Sequence, residues 1–143
     1  MSDKILFPRE TVLVTDHFDI HQDREIPIPG FLVMATTRKI ASICEFNTQE
    51  IEEFLPLLVK VRGALKEVLH INNVYFFQNE DSTHGFHVWI FPRHPWMERF
   101  GRKIQSVRPI MEYAKESMGD GNTIKEIKEA IKKLKEYLIK RQD

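Results

Sequence analysis

Within Ser82-Thr-His-Gly-Phe-His-Val-Trp-Ile-Phe-Pro-Arg93, one histidine interrupts an otherwise apolar run: His87, between Phe86 and Val88. An imidazole in such a run has two readings. It is a core histidine with a hydrogen-bonded ring, or it is a nucleophile. A neutral imidazole attacks phosphorus well, and a covalent intermediate divides one hard displacement into two easier ones. The second role needs the other ring nitrogen held in one tautomer by an acceptor. Gly85 stands where its carbonyl can do so without bringing a side chain. His84 and His94 flank the run. Together with His87 they make a poor metal set, because His84 and His87 point to opposite sides of a strand and no acid lies in register. No metal and no cofactor are expected.

The element that positions His87 is a strand over Phe86 to Phe91, rich in aromatic and β-branched residues and stopped by Pro92. Alternation puts Gly85, His87, Trp89 and Phe91 on one face and His84, Phe86, Val88 and Ile90 on the other. Upstream, Thr11 to Val14 reads as a short strand. Thr15 to Asp19 reads as a tight polar connection, and His21 to Glu25 as polar chain. Ile26-Pro-Ile-Pro-Gly30 is a stiffened approach to a third apolar segment, Phe31 to Ala35. Asn47-Thr-Gln-Glu50 signals a helix start. Ile51, Phe54, Leu55, Leu58, Val61, Leu65 and Leu69 then give a helical stripe over Gln49 to His70, read as core, with Pro56 near its first turn. Val74 to Phe77 is a further strand, and Gln78 to Ser82 a turn-prone link.

This order, with its strand ending Ile-Phe-Pro-Arg93, resembles the histidine-triad (HIT) hydrolase and transferase family. That family carries three histidines at alternate strand positions, with the middle one as nucleophile. Here Gly85, His87 and Trp89 stand in those places, so only the middle histidine is retained; the usual Gly-His of the earlier turn is Gly30-Phe31. The resemblance covers residues 8 to 96. It implies an α+β fold, a HIT-like antiparallel sheet with the long helix packed on one face. It also implies a homodimer through that helix and the adjoining strand.

The ligand so implied is a purine nucleotide or a dinucleoside polyphosphate such as diadenosine tetraphosphate. Apolar residues of the first two strands would sandwich its base. Asp23 would bond the ribose, with Asn79, Ser82, Trp89 and Arg93 also contacting the ligand. His87 would attack the α-phosphorus and pass through a nucleotidyl-histidine, with His84 as a replacement proton donor. Arg93 reads equally as a surface ion pair and Asp23 as a turn residue. The alternative is a HIT-like nucleotide-binding protein that has lost turnover.

The chain of 143 residues fits one globular unit. Residues 1–100 form the expected nucleotide-binding domain, and residues 101–143 a helical extension packed on it. The extension reads as a helix over Val107 to Met118, a break at Gly119 to Asn122, and a last helix capped by Thr123. The last helix has its apolar stripe at Ile124, Ile127, Ile131, Leu134 and Leu138. Its many Glu residues favour a packed or partner-contacting helix over one lying on a membrane. Lys plus Arg and Asp plus Glu are 21 each, so no net field draws nucleic acid or an anionic membrane. No long apolar run and no signal-peptide pattern occur, and Cys44 is alone; a cytoplasmic location is expected.

Overall fold

In the computed structural model, residues 6–7 and 10–140 are described. Five strands form one antiparallel sheet: β1 (Thr11–Val14), β2 (Phe18–Gln22), β3 (Leu32–Thr36), β4 (Val74–Phe77) and β5 (His87–Pro92). Their order is β1-β2-β3-β5-β4. Three helices complete the fold: α1 (Thr48–Leu69), α2 (Val107–Ser117) and α3 (Gly121–Lys140). The α+β architecture and the long helix match the sequence expectation. The strand β2 does not, because its segment reads as connection and polar chain. Three of its five residues are polar, which hides the pattern. Its burial alternates, however, with Phe18, Ile20 and Gln22 inward and Asp19 and His21 half-buried on the other face.

The two faces of the sheet bury against different helices. Phe18, Ile20, Leu32, Met34 and Ile90 join Leu57, Val61, Leu65, Ile127, Ile131 and Leu134 in the main core, so α1 and α3 cover one face. Phe31 and Phe91 pack with Val107, Ile110 and Ala114 on the opposite face, under α2. Ring contacts, two edge-on and the last tilted, join Phe86, Phe46, Phe54 and Phe18, with successive ring centroids 4.9, 5.4 and 5.8 Å apart. Each such pair adds about 0.5–1.5 kcal/mol beyond the area it buries.

The helices begin where local chemistry starts them. Asn47 caps α1 with a capping box: its side chain accepts from Glu50 N–H at 2.9 Å, and Glu50 accepts from Asn47 N–H at 2.8 Å. Pro56 lies beyond the first turn, further in than the sequence suggests. It forgoes the bond to the Glu52 carbonyl, on the exposed side of the helix. The expected core stripe of α1 also needs correction. Ile51 and Leu55 are each 62% exposed, and with Val59 they form a second apolar stripe facing outward. The α3 cap is Asp120 rather than Thr123, since Asp120 Oδ1 accepts from Thr123 N–H at 2.8 Å and Thr123 itself is buried. That bond holds the Asp120 carboxyl below its usual range.

Gly30 turns the chain into β3 with φ +80°, and a Cβ there would meet Leu69 Cδ1 at 2.9 Å. The turn seats the β2–β3 connection on the last turn of α1, and its positive φ is what demands glycine, since the leucine side-chain ends could shift. Gly30→Ala is expected to cost about 1–3 kcal/mol. A lowered urea midpoint at unchanged slope would report it, and an unchanged midpoint would show that the turn relaxes.

Candidate active site

Face alternation and strand register together create one open cavity of about 920 Å3 on the α2 side of the sheet. Asp19 pairs with Ala35, and Ala35 with His87; one pleat along, His21 pairs with Val33, and Val33 with Trp89. The floor is therefore Ala35 and Val33. One wall is Asp19 and His21, the other His87 and Trp89. Two strand spacings separate the β2 and β5 backbones, about 10 Å. Ile26, Phe77 and Met111 line the cavity as well, as do Lys39, His84 and Gly85.

His87 is 7% exposed and held on two sides. Its Nδ1 lies 2.7 Å from the Gly85 carbonyl, and since a carbonyl only accepts, Nδ1 carries the proton. The Trp89 ring stands at 80° to the imidazole with centroids 4.2 Å apart, and stacks on Phe77 at 5.3 Å. Nε2 is left as the unprotonated nitrogen of the neutral ring. His84 is exposed on the same cavity, its ring centroid 6.3 Å from that of His87.

The segment after β3 explains why Gly85 carries no side chain. Phe86 N–H donates to the Ile40 carbonyl at 2.6 Å, and a Cβ on Gly85 would lie 3.3 Å from that same oxygen. Two residues before Ile40 is Arg38, whose guanidinium grips buried Glu50 at 2.8 Å and donates to the Glu45 carbonyl at 2.7 Å. The Arg38 hydrogen bond holds the Glu50 carboxyl below its usual range. The first histidine place of the triad is thus closed by backbone anchored to the start of α1.

Asp23 lines the cavity with its carboxylate already engaged. Oδ1 accepts from Glu25 N–H at 3.0 Å and Ile26 N–H at 2.9 Å, and Oδ2 from Trp89 Nε1–H at 3.2 Å. Trp89, at the third triad place, therefore ties Asp23 to His87. Asn79 donates to Asp81 at 2.6 Å within an exposed link, and Ser82 lies in the same link; neither lines the cavity. Arg93 donates to Ser106 Oγ at 3.1 Å and the Gly101 carbonyl at 2.8 Å, over the Tyr75 ring. It ties β5 to the chain entering α2, away from the cavity. His94 donates from Nε2 to the Pro29 carbonyl at 2.7 Å, and burial lowers its pKa. Among the described residues, no three His, Cys, Asp or Glu side chains gather as a metal site.

Of β2, Phe18 and Ile20 face the core, and the residues that reach the cavity are Asp19 and His21. Sequence reasoning misses those two together with β2 itself. The alternation Phe-Asp-Ile-His-Gln is the signal that could have found them.

No family model and no curated protein matches the chain in sequence. Solved structures do match. A zinc-bound histidine triad family protein from Mycobacterium smegmatis superposes with TM-score 0.64 at 12% identity, over 93% of this chain and 86% of that one. The chain has the HIT fold. A Plasmodium falciparum diadenosine triphosphate hydrolase, solved with cyclomarin A, matches with TM-score 0.62 at 14% identity, over 98% of this chain and 86% of that one. A HIT family protein from Bacillus subtilis matches with TM-score 0.56 at 15% identity, over 80% and 92%. Within the HIT fold, the departures at Gly85 and Trp89 are built into the packing.

Restoring the first triad histidine should therefore damage the fold. Gly85→His is expected to cost about 1–3 kcal/mol, as overpacking does in a well-filled region, read as a lowered unfolding midpoint. Wild-type stability in this variant would show that the Lys39–Ile40 backbone yields.

Proposed function

We propose that this chain is a nucleotide phosphohydrolase or nucleotidyl transferase acting at the α-phosphate through a nucleotidyl-His87 intermediate. The observation that carries this reading is the clamped imidazole: Nδ1 is protonated against the Gly85 carbonyl, which leaves Nε2 as the free ring nitrogen of a residue that lines a cavity of about 920 Å3. The HIT fold, and its occurrence in a diadenosine triphosphate hydrolase, support it. The Nε2 lone pair attacks phosphorus, the bond to the leaving group breaks, and water then attacks the phosphohistidine to release the nucleoside monophosphate. Retention of the Nδ1 proton makes the intermediate a cationic imidazolium and hence a good leaving group. Lys39 and His84 line the same cavity and are the groups assigned to the phosphoryl oxygens. Asp23 braces Trp89 and the cavity end. Purine nucleotides and dinucleoside polyphosphates are the ligand class.

Protein mixed with diadenosine tetraphosphate and acid-quenched should carry a nucleotidyl adduct on His87 by mass spectrometry, absent in His87→Ala at unchanged fold. Nucleotide binding by calorimetry with no adduct and equal trace rates in the two proteins would replace the enzyme by a binding module.

The same reading includes a homodimer. Ile51, Leu55 and Val59 are exposed on α1, and Phe76 is 47% exposed on β4, an edge strand whose outer backbone groups are unpaired in the sheet. An open edge beside apolar surface favours pairing with a second copy. Joined at β4, two copies would share one continuous sheet. Sedimentation should show a dimer that Leu55→Glu shifts towards monomer; a wild-type monomer at high micromolar concentration would remove the dimer.

A further inference from the structure

Strand β5 orders the cavity along its length. Trp89, bonded to Asp23, stands at one end, His87 comes next, and Gly85 marks the other end. The Trp89 end is largely apolar, because Ile26, Phe77 and Met111 pack there in one cluster with the indole. The Gly85 end is polar and is built by the segment that follows β3, from Thr36 to Lys39.

Glycine leaves the first triad place without a side chain, and Lys39 lies over that place. A Cβ on Gly85 would meet Lys39 Cγ at 3.9 Å, an ordinary van der Waals contact. The lysine stem is thereby seated two residues along β5 from the nucleophile. Its ammonium lies three bonds beyond Cγ, on an exposed side chain that lines the cavity. The neighbours of Lys39 on the same segment are committed. Thr36 Oγ1 donates to the Arg38 carbonyl at 2.7 Å, and Thr37 Oγ1 to the Asp16 carbonyl at 3.1 Å. The Arg38 guanidinium is held by Glu50 and by the Glu45 carbonyl. Among the described residues the Lys39 ammonium meets no carboxylate or carbonyl, so its charge is free for an anion in the cavity.

Resting on the nucleotidyl-His87 reading, we infer that Lys39 receives the leaving group, and that this group is a polyphosphate chain. With the nucleoside at the Asp23–Trp89 end and its α-phosphorus at His87, the rest of the substrate extends to the Gly85 end. There an ammonium takes the station that a histidine holds in a complete triad. The exchange alters the chemistry. An imidazole can pass a proton near neutral pH, whereas a lysine ammonium binds phosphate as a compact point charge. It suits a leaving group that departs as an anion and needs no proton. A terminal phosphate is such a group, its second pKa being about 6. An amine leaving group offers the ammonium nothing to bind.

The steps balance. His87 Nε2 gives its lone pair to the α-phosphorus as the bond from phosphorus to the bridging oxygen breaks. The bridging oxygen keeps that electron pair and becomes a terminal phosphate oxygen, whose charge Lys39 offsets. Water then bonds the phosphorus, the phosphorus–nitrogen pair returns to Nε2, and one water proton passes to solvent.

Two substrates that share the adenylyl group but not the leaving group provide the test. Diadenosine tetraphosphate expels adenosine triphosphate, whereas the p-nitrophenyl ester of AMP expels an anion that carries no phosphate. Rapid-quench mass spectrometry follows adduct formation on His87 in wild type, Lys39→Met and Lys39→Arg. The readout is the ratio of the two second-order rate constants, tetraphosphate over ester. Loss of a charge-assisted contact should lower that ratio about 10–100-fold in Lys39→Met, and Lys39→Arg should restore most of it. An unchanged ratio in Lys39→Met, whether both rates fall together or neither does, would overturn the inference and leave the His87 nucleophile standing. A wild-type protein that forms no adduct from either substrate would remove the nucleophile and this inference with it.

Discussion

The hydrogen bond from His87 Nδ1 to the Gly85 carbonyl stands where three demands meet. The ring must lie on the cavity face, which strand alternation decides. The carbonyl must reach Nδ1, which requires the chain at Gly85 to have left the regular β5 ladder. That departure is held by the Ile40 carbonyl accepting from Phe86 N–H. Through Arg38 and Glu50 the same linker is fixed to the capped start of α1. The tautomer of one imidazole thus depends on a helix on the other face of the sheet. The Arg38–Glu50 pair is partly buried, and removing only Arg38 would leave an uncompensated buried carboxylate, a larger penalty than the net worth of an exposed pair.

The cavity exists because the two faces of the sheet are covered unequally. α1 and α3 close one face, whereas α2 covers only the end where Phe31 and Phe91 lie. Trp89 marks the boundary: stacked on Phe77, edge-on to His87 and bonded to Asp23, it belongs at once to the α2 core and to the cavity. An indole there cannot accept or relay a proton from its ring nitrogen. It instead removes the freedom of the imidazole beside it.

How much of this is legible in the sequence follows from which patterns repeat and which do not. The β5 run, the α1 start and the identity of His87 stand out because periodicity and capping act over adjacent residues. β2 does not, since polar residues on a cavity face look like those of a loop. Ile51 and Leu55 read as core because apolar spacing does not say how many sides of a helix are covered. The placement of Arg93 on Ser106 and Gly101, rather than in the cavity, depends on contacts between elements that no local pattern carries.

Asp19 and His21 show how missing one strand hides a whole wall of the site. Once β2 is paired with β3, Phe18 and Ile20 must face α1, because burying them on the other side would expose the core face to Asp19 and His21. The register then leaves no freedom: an acid and a histidine two residues apart must face the cavity, opposite the row that holds His87. Here Gly85 is closed by backbone and Trp89 is occupied by packing, so titratable groups remain beside and across from His87.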